Sequence, residues 1–169
     1  MTDGDVVILP GRAEDIAQLT DIYNHFVRGT HVTFDIEPAT VEDRLRWLDH
    51  HPETGRHRLF VAHAGERVIG YATSSPYRAK RAYETSVETS VYCRHDAVGN
   101  GVGSALYAQL FAALATEDVH RAYGGVALPN DASEALHRKF GFERVAAFSE
   151  QGRKFGRYWD VAWYERHCP

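Results

Sequence analysis

A run of glycines between a strand pattern and a helix pattern is the feature that most constrains how this chain folds. The alternating segment that ends at Cys93 is followed by Gly99, Gly101 and Gly103, and then by a helix pattern over Ser104–Thr116. Glycines let the backbone approach a ligand closely, and the positive end of a helix dipole favours a bound phosphate. The run therefore predicts an anion site at the start of this helix, and the alternative is a plain tight turn.

The residues around the glycines narrow the choice of phosphate ligand. No Lys-Ser or Lys-Thr pair follows them, as it does in the phosphate loop of nucleoside triphosphatases. A dinucleotide fingerprint needs a glycine where Ser104 stands, in a repeated strand–helix–strand unit near the N-terminus, which this chain lacks. The pyrophosphate of coenzyme A is the better fit to a loop that follows a β-hairpin late in the chain.

Hydrophobic patterning predicts elements along the rest of the chain. The expected strands are Val6–Leu9, Leu59–His63, Val68–Ser75, Glu84–Cys93, Arg121–Leu128, Phe142–Ser149 and Phe155–Tyr164. The expected helices run from Ile16 to Gly29, after Thr40 through Leu48, over Ser104–Thr116 and from Asp131 to Phe140, with capping pairs Thr40–Asp43 and Asp131–Glu134. The order β-α-α-β-β-β-α-β-α-β-β predicts one domain over residues 1–169 with an α+β (mixed α/β) fold.

Composition and charge exclude several classes of function. The formal net charge of −4 gives no global reason to bind nucleic acid or an anionic membrane. No apolar run approaches the roughly 20 residues that span a bilayer, and no secretory signal is visible, so we expect a cytoplasmic protein. The cysteines, Cys93 and Cys168, are too few for a disulfide framework. The histidines show no metal-ligand spacing, so no metal is expected.

The strand predicted over Glu84–Cys93 has a carboxylate at its centre. Alternation places Glu88 on one face with Ser86 and Ser90, and Val87 on the opposite, apolar face. Burying a carboxylate in mid-strand is costly unless it serves a purpose. Either this face is solvated, or Glu88 is placed there for chemistry.

Several ordered blocks resemble the GCN5-related N-acetyltransferases (GNAT), and more closely their phosphinothricin acetyltransferase-like branch. These blocks span nearly the whole chain and are Ile22–His25, Thr33–Pro38, Ala79–Tyr83, Val87–Tyr92, Gly101–Tyr107, Leu128–Asp131, His137 with Phe140–Phe142, and Trp159–Val161. The resemblance implies the GNAT fold, a mixed, mostly antiparallel sheet with splayed central strands flanked by helices. It also implies acetyl-CoA as the co-substrate and a homodimer as the assembly.

In this family the glycine loop holds the pyrophosphate through backbone amides, and the strand before it pairs with the pantetheine arm. The resemblance therefore implies a set of cofactor-binding residues, which are Val91, Tyr92, Cys93, Gly99, Asn100, Gly101, Val102, Gly103, Ser104 and Asn130. One position departs from the family pattern, since Val98 stands where the loop usually begins with Gln or Arg. Only the contribution of that side chain to CoA binding is placed in doubt.

Acetyl transfer to an amine needs a base or a water relay that takes a proton from the amine, and it benefits from a donor near the departing thiolate. Glu88 matches the family's catalytic glutamate, so the resemblance implies that it is the base. His137 stands where many members of the superfamily carry a general-acid tyrosine. The resemblance to this branch implies that histidine takes the place of the tyrosine here. Tyr107 is the alternative hydroxyl, although packing is its more ordinary role. Cys93 is interpreted as a structural cysteine, because no His-Asp constellation is visible around it.

The segment before the catalytic strand is basic. Arg78 and Lys80 would lie on the same side of an extended segment, where paired cations could hold a carboxylate or a phosphinate. The alternative is a solvated basic loop. By resemblance, Phe34 and Tyr83 wall the substrate's side chain and Asn24 supplies a polar contact. The resemblance implies a glutamate- or methionine-like amino acid with a phosphinyl, sulfone or sulfoximine group as the small-molecule acceptor.

Other functions stay open at this point. The same chemistry could serve a protein N-terminus, a lysine or a polyamine, although the basic segment disfavours a polyamine. A non-catalytic acetyl-CoA-binding sensor is the alternative from another class, and the presence of both Glu88 and His137 argues against it. A nucleotide-binding oxidoreductase is disfavoured by the position of the glycine loop. The C-terminal aromatic residues are expected in the core or at a subunit contact, and they are Tyr158, Trp159, Trp163 and Tyr164.

Overall fold

The segments whose hydrophobic patterning predicts strands and helices form these elements in the predicted order. The computed structural model describes residues 6–168. The strands are β1 (Val6–Pro10), β2 (Leu59–Ala64), β3 (Arg67–Pro76), β4 (Ser86–Cys93), β5 (Arg121–Ala127), β6 (Glu143–Lys154) and β7 (Arg157–His167). The helices are α1 (Ile16–Gly29), α2 (Val41–Leu48), α3 (Val102–Leu114) and α4 (Asp131–Lys139). The mixed α/β class expected from the sequence is confirmed.

The strands form one sheet in the order β1-β2-β3-β4-β5-β7-β6. Neighbouring strands are antiparallel, except that β4 and β5 are parallel. The β4–β5 pairing is confined to Ser86–Glu88 on one strand and Arg121–Tyr123 on the other. Beyond these residues the two strands diverge, which confirms the splayed central strands expected of the GNAT fold.

Helices cover both faces of the sheet, so β4 is enclosed from both sides. On one face Val87 belongs to a core cluster with Leu106 of α3. On the other face Tyr92 packs against a second cluster that contains Leu19 of α1 and Tyr71 of β3. Each fully buried apolar side chain of this kind contributes roughly 1.5–3 kcal/mol to stability. Among residues 6–168, no helix is both long enough and apolar enough to cross a membrane.

The starts of the helices show where local signals are sufficient and where they mislead. At α2 the predicted capping pair is confirmed, because Asp43 N donates to Thr40 Oγ1 at 3.1 Å and Thr40 N donates to Asp43 Oδ2 at 3.1 Å. At α4 the predicted cap is wrong. Asn130, one residue before Asp131, is the N-cap, and its side-chain oxygen accepts from Ser133 N at 3.2 Å.

Helix α3 also begins earlier than predicted. It starts at Val102 rather than at Ser104, because Gly101 adopts a left-handed conformation with φ of 79° and forms the N-cap. Strand β4 begins at Ser86, and the predicted start at Glu84 lies in the exposed segment before it. Both differences follow from glycine and turn conformations that hydrophobic patterning does not report.

The β6–β7 hairpin is longer than predicted. Its turn consists of Phe155 and Gly156, whose φ angles are 53° and 74°. Two residues with positive φ make a tight turn that matches the twist of the flanking strands. The sequence predicts strands that end at Ser149 and begin at Phe155, and this break is wrong because β6 continues to Lys154 with a shift of register between Phe148 and Gly152.

Candidate active site

A cavity of about 630 Å³ opens where β4 and β5 diverge. Its wall consists of the second half of β4, the loop before α3, the first turns of α3, the end of β5 and one side of α4, with Phe26 of α1 and Val32 after it. Most of the predicted cofactor-binding residues line it, namely Val91, Tyr92, Cys93, Gly99, Gly101, Val102, Gly103, Ser104 and Asn130. Asn100 lies in the same loop but outside this lining. The structure therefore brings most of the predicted cofactor residues together around one cavity.

The glycine loop is shaped by backbone conformations that other residues rarely adopt. Gly99 and Gly101 have φ of 86° and 79°. Gly103 lies in the first turn of α3, where an added Cβ would stand 3.5 Å from the Leu136 side chain. The first amides of a helix have no intrahelical acceptor, so the rim of the cavity offers N–H donors at the positive end of α3. This arrangement favours an anion cradle over a plain tight turn.

His137 is buried in the wall of this cavity, at 3% exposure. Its Nδ1 lies 2.7 Å from the Ser133 carbonyl oxygen, and its Nε2 lies 3.3 Å from the Tyr107 hydroxyl. Because a carbonyl oxygen can only accept, we assign the proton to Nδ1, which leaves Nε2 to accept from Tyr107. Burial lowers the pKa of His137, so its imidazole is neutral at neutral pH.

Tyr107 connects His137 to the central strands. The tyrosine is fully buried, and this burial raises its pKa well above the ordinary value. Its hydroxyl lies 3.2 Å from Thr89 Oγ1, which donates to the Tyr123 carbonyl oxygen at 3.2 Å. A chain of polar groups thus runs from β5 and β4 through α3 to α4. Sequence reasoning did not identify Thr89 as a site residue. The signal that could have shown it is a hydroxyl on the otherwise apolar face of β4.

Glu88 lies on the opposite face of β4 from Thr89, at the last position where β4 pairs with β5. It is half-buried and lies outside the lining of the 630 Å³ cavity. Burial raises the pKa of its carboxyl group because it disfavours the charged form, and the Arg78 guanidinium opposes this shift. A carboxylate in such an environment is a better proton acceptor than one in water.

The segment between β3 and β4 lies close to Glu88. Tyr77 stacks on Tyr123 at a centroid distance of 4.2 Å and meets the Tyr83 ring edge-on at 6.0 Å. The Arg78 guanidinium lies 5.0 Å from the Tyr77 ring. Tyr123 pairs in register with Glu88, so two of the predicted substrate residues, Arg78 and Tyr83, are connected to the strand pair that contains the base through Tyr77 and Tyr123.

The other predicted substrate residues occupy different positions. Lys80 is exposed in the same segment as Arg78. Asn24 is buried, and its amide bonds the backbone of Ala39 twice, donating from Nδ2 at 2.8 Å and accepting at Oδ1 at 2.9 Å. Asn24 therefore holds the connection between α1 and α2, and its contact with a substrate stays a prediction. Phe34 lies in that connection and packs against the backbone of Gly152.

The connection between α1 and α2 is also held by Lys154 and His31, which sequence reasoning did not single out. Buried Lys154 donates from Nζ to the Thr33 carbonyl oxygen at 2.7 Å. The His31 ring stacks on Trp159 at 4.0 Å, and its Nε2 lies 3.0 Å from the Pro129 carbonyl oxygen. These contacts fix the segment that contains Phe34 against the β6–β7 hairpin and the loop before α4.

Cys93 lines the cavity, and among the residues that the structure describes it has no partner that would activate it. Burial raises the pKa of its thiol to about 11, which keeps it protonated at neutral pH. This agrees with its interpretation as a structural cysteine. Within residues 6–168, no group of three or more His, Cys, Asp and Glu side chains is arranged to hold a metal ion.

Known proteins match this chain over most of its length. The family model described as "Acetyltransferase (GNAT) domain" matches residues 10–163. A phosphinothricin N-acetyltransferase of Streptomyces coelicolor is 61% identical, with 96% of each chain covered. An L-methionine sulfoximine/L-methionine sulfone acetyltransferase of Pseudomonas aeruginosa is 31% identical, over 96% of this chain and 91% of the relative. The crystal structure of a GNAT superfamily phosphinothricin acetyltransferase from Sinorhizobium meliloti in complex with AcCoA has a TM-score of 0.89 and 29% identity, and the match covers 96% of this chain and 88% of that one.

Proposed function

Since the chain belongs to the GNAT family and is an acetyl-CoA-dependent N-acetyltransferase, we propose that it acetylates the α-amine of a small amino acid. The acceptor carries a tetrahedral phosphinyl, sulfone or sulfoximine group, and its amine attacks the thioester directly in a ternary complex. The observation that carries this proposal is the contact of Arg78 with Tyr77, which stacks on Tyr123, the register partner of Glu88, and the Arg78 charge lowers the pKa of Glu88. The relatives named for phosphinothricin and for methionine sulfoximine support the same class of acceptor.

The basic segment before β4 gives the acceptor its orientation. The guanidinium of Arg78 pairs with the acidic or tetrahedral group of the substrate, and exposed Lys80 adds a second cation in the same segment. Tyr83 and Phe34 enclose the carbon chain. The amine then points toward Glu88, at the base of the fork between the central strands.

Glu88 takes the proton that the amine must lose. An amine attacks a thioester only in its neutral form, so a base must accept one proton before or during the attack. The raised pKa of Glu88 brings its basicity closer to that of the amine. Its place on the face of β4 opposite Thr89 lets the acceptor approach from one side of the sheet while the cavity lies between the splayed strands.

The departing thiolate takes a proton from the hydrogen-bonded pair of Tyr107 and His137. With Nδ1–H bonded to Ser133, the pair shares the one proton that lies between the Tyr107 hydroxyl and His137 Nε2. Thr89 Oγ1 lies 3.2 Å from the Tyr107 oxygen on its other side, and its single proton can go either to that oxygen or to the Tyr123 carbonyl oxygen. The proton between Tyr107 and His137 belongs to the Tyr107 hydroxyl, which gives it to the sulfur as the C–S bond breaks, and solvent returns a proton to the tyrosinate while Glu88 releases the proton of the amine.

A comparison of acceptors tests the proposed substrate class. Release of CoA from acetyl-CoA is measured with phosphinothricin, methionine sulfone, methionine sulfoximine, spermidine and a lysine peptide. We expect turnover with the first three at much lower concentration than with the last two. Higher kcat/KM with spermidine or with the peptide would contradict the proposal. Arg78→Gln should raise the KM for the amino acid, whereas Arg81→Gln, in the same segment, serves as the matched control.

We also propose that the protein is a homodimer that uses the β6–β7 hairpin. Large apolar side chains are exposed there at Val145, Phe148, Phe155 and Tyr158. Strand β6 is the last strand of the sheet and is exposed along most of its length. An edge with exposed apolar side chains is a surface that a second copy can cover.

A further inference from the structure

The cavity that lies between β4 and β5 carries very little charge. Within the part of the chain that the structure describes, its lining contains one lysine or arginine, Lys139, and no aspartate or glutamate. Coenzyme A brings a pyrophosphate and a 3′-phosphate, and backbone amides alone provide only partial positive charge. Val98 stands where related loops begin with Gln or Arg, and it is apolar and 57% exposed. The positive charge for the phosphates must therefore come from outside the glycine loop.

Helix α4 brings Lys139 to the start of α3. The side of α4 that lines the cavity includes Leu136 and, one turn later, Lys139. Leu136 packs beside Gly103, where an added Cβ would lie 3.5 Å from it. Lys139 Nζ donates to Ser104 Oγ at 2.9 Å, across a separation of 35 residues. The ammonium group is thus fixed over the first turn of α3, where the free amides are.

We propose that Lys139 binds a phosphate group of coenzyme A and supplies the full positive charge that the glycine loop lacks. An ammonium has three N–H donors, and the Ser104 hydroxyl takes one of them. The remaining donors, together with the α3 amides, form a site for phosphate oxygens at the rim of the cavity. Held by Ser104, the side chain loses less conformational entropy on binding than a free lysine does.

Arg138 shows that this placement is specific to Lys139. Both residues lie in the last turn of α4, where a cation interacts favourably with the negative end of the helix dipole. Arg138, however, pairs with Glu134 at 3.1 Å, contacts the Tyr164 hydroxyl and lies outside the cavity lining. If these cations only stabilised the helix through its dipole, both residues would contribute. Phosphate binding is expected of Lys139 alone.

Titration calorimetry with coenzyme A tests the proposal without an acceptor amine. At low salt we expect Lys139→Gln to raise the Kd for coenzyme A about tenfold, the size of a charge-assisted hydrogen bond. Lys139→Arg should keep most of the affinity, and Arg138→Gln should match the unmodified protein. Added salt weakens binding by screening, so the salt dependence should be shallower for Lys139→Gln.

An unchanged Kd for Lys139→Gln, an unchanged salt dependence, or an equal loss in Arg138→Gln would each overturn the proposal. Dephospho-CoA, which lacks the 3′-phosphate, then shows which phosphate of coenzyme A Lys139 contacts. If the effect of Lys139→Gln persists with this ligand, Lys139 contacts the pyrophosphate. If the effect disappears, Lys139 contacts the 3′-phosphate. Both results support the assignment of Lys139 to a phosphate.

Discussion

No side chain can stand at Gly124 while His137 keeps its place, because an added Cβ at Gly124 would lie 2.3 Å from His137 Nε2. Gly124 lies in β5 and His137 in α4. The backbone of Gly124 is not in the left-handed region, so a larger residue would fit the strand itself. The missing side chain therefore makes room for the imidazole that contacts Tyr107.

Gly124→Ala should lower kcat at least tenfold, because it pushes His137 away from Tyr107 and general-acid catalysis is worth about 10²–10⁴ in rate. The measurement is steady-state kinetics beside circular dichroism, which should show an intact fold. If Gly124 acts only through His137, the double variant Gly124→Ala/His137→Ala should be no slower than His137→Ala. Full additivity of the two losses would contradict this explanation.

The pH dependence of kcat/KM should identify Glu88 as the base. Activity should rise with pH as the carboxyl group loses its proton, with a midpoint above the ordinary range of glutamate, because burial raises the pKa of Glu88. Glu88→Gln should remove this limb and lower kcat by about 10²–10⁴. Full activity of Glu88→Gln at neutral pH would show that another group is the base.

Arg78→Gln should move the same limb of the pH profile to higher pH. The Arg78 guanidinium lowers the pKa of Glu88, so its removal lets that pKa rise further and more alkaline conditions are needed to form the carboxylate. Arg81→Gln removes a charge from the same exposed segment and should leave the limb in place. A shift toward lower pH in Arg78→Gln would contradict the sign of this interaction.

Thr89→Val should weaken both stability and catalysis. The change keeps the shape of the side chain but removes the hydroxyl that bridges Tyr107 and the Tyr123 carbonyl. We expect a loss of about 1–2 kcal/mol in the free energy of unfolding, measured with urea, together with a lower kcat. Thr73→Val is the control, since buried Thr73 on β3 makes no side-chain hydrogen bond within the described residues. Equal losses of stability and of kcat in both variants would show that Thr89 has no special role.

Gly152→Ala should raise the KM for the amino-acid acceptor and leave the KM for acetyl-CoA unchanged. An added Cβ at Gly152 would lie 2.2 Å from the Phe34 ring, so Phe34 must move from its place. Loss of one aromatic wall is worth about fivefold in KM. Gly29→Ala is the control, because an added Cβ there meets nothing within 4 Å. A change in the KM for acetyl-CoA instead would place Phe34 in the cofactor site.

Phe148→Lys should convert the proposed dimer into monomers. Phe148 is 51% exposed on β6, and a charge there would be buried without a partner if a second copy covered it. Light scattering after size-exclusion chromatography gives the mass. Leu45→Lys, at an exposed apolar position of α2, should leave the assembly intact. A protein that is monomeric before any substitution would contradict the dimer directly.

Local signals in the sequence determined the order of the elements and part of the site. The reciprocal Thr40–Asp43 cap formed as predicted because both bonds lie within three residues of the chain. The glycines before α3 produced the left-handed turn that only glycine adopts readily. The predicted cofactor residues other than Asn130 came together because they lie on a strand, a loop and a helix start that follow one another directly, whereas Asn130 reaches the cavity from the start of α4.

The tertiary structure alone decided how the catalytic groups meet. The contacts of Tyr107 with Thr89 and His137 join residues 18 and 30 positions apart, and the Lys139–Ser104 contact joins residues 35 positions apart. Hydrophobic patterning is local and cannot show that β4 and β5 separate after Glu88. Packing of α3 and α4 against the diverging strands sets these distances, because close packing leaves each side chain only the space that its distant neighbours do not occupy.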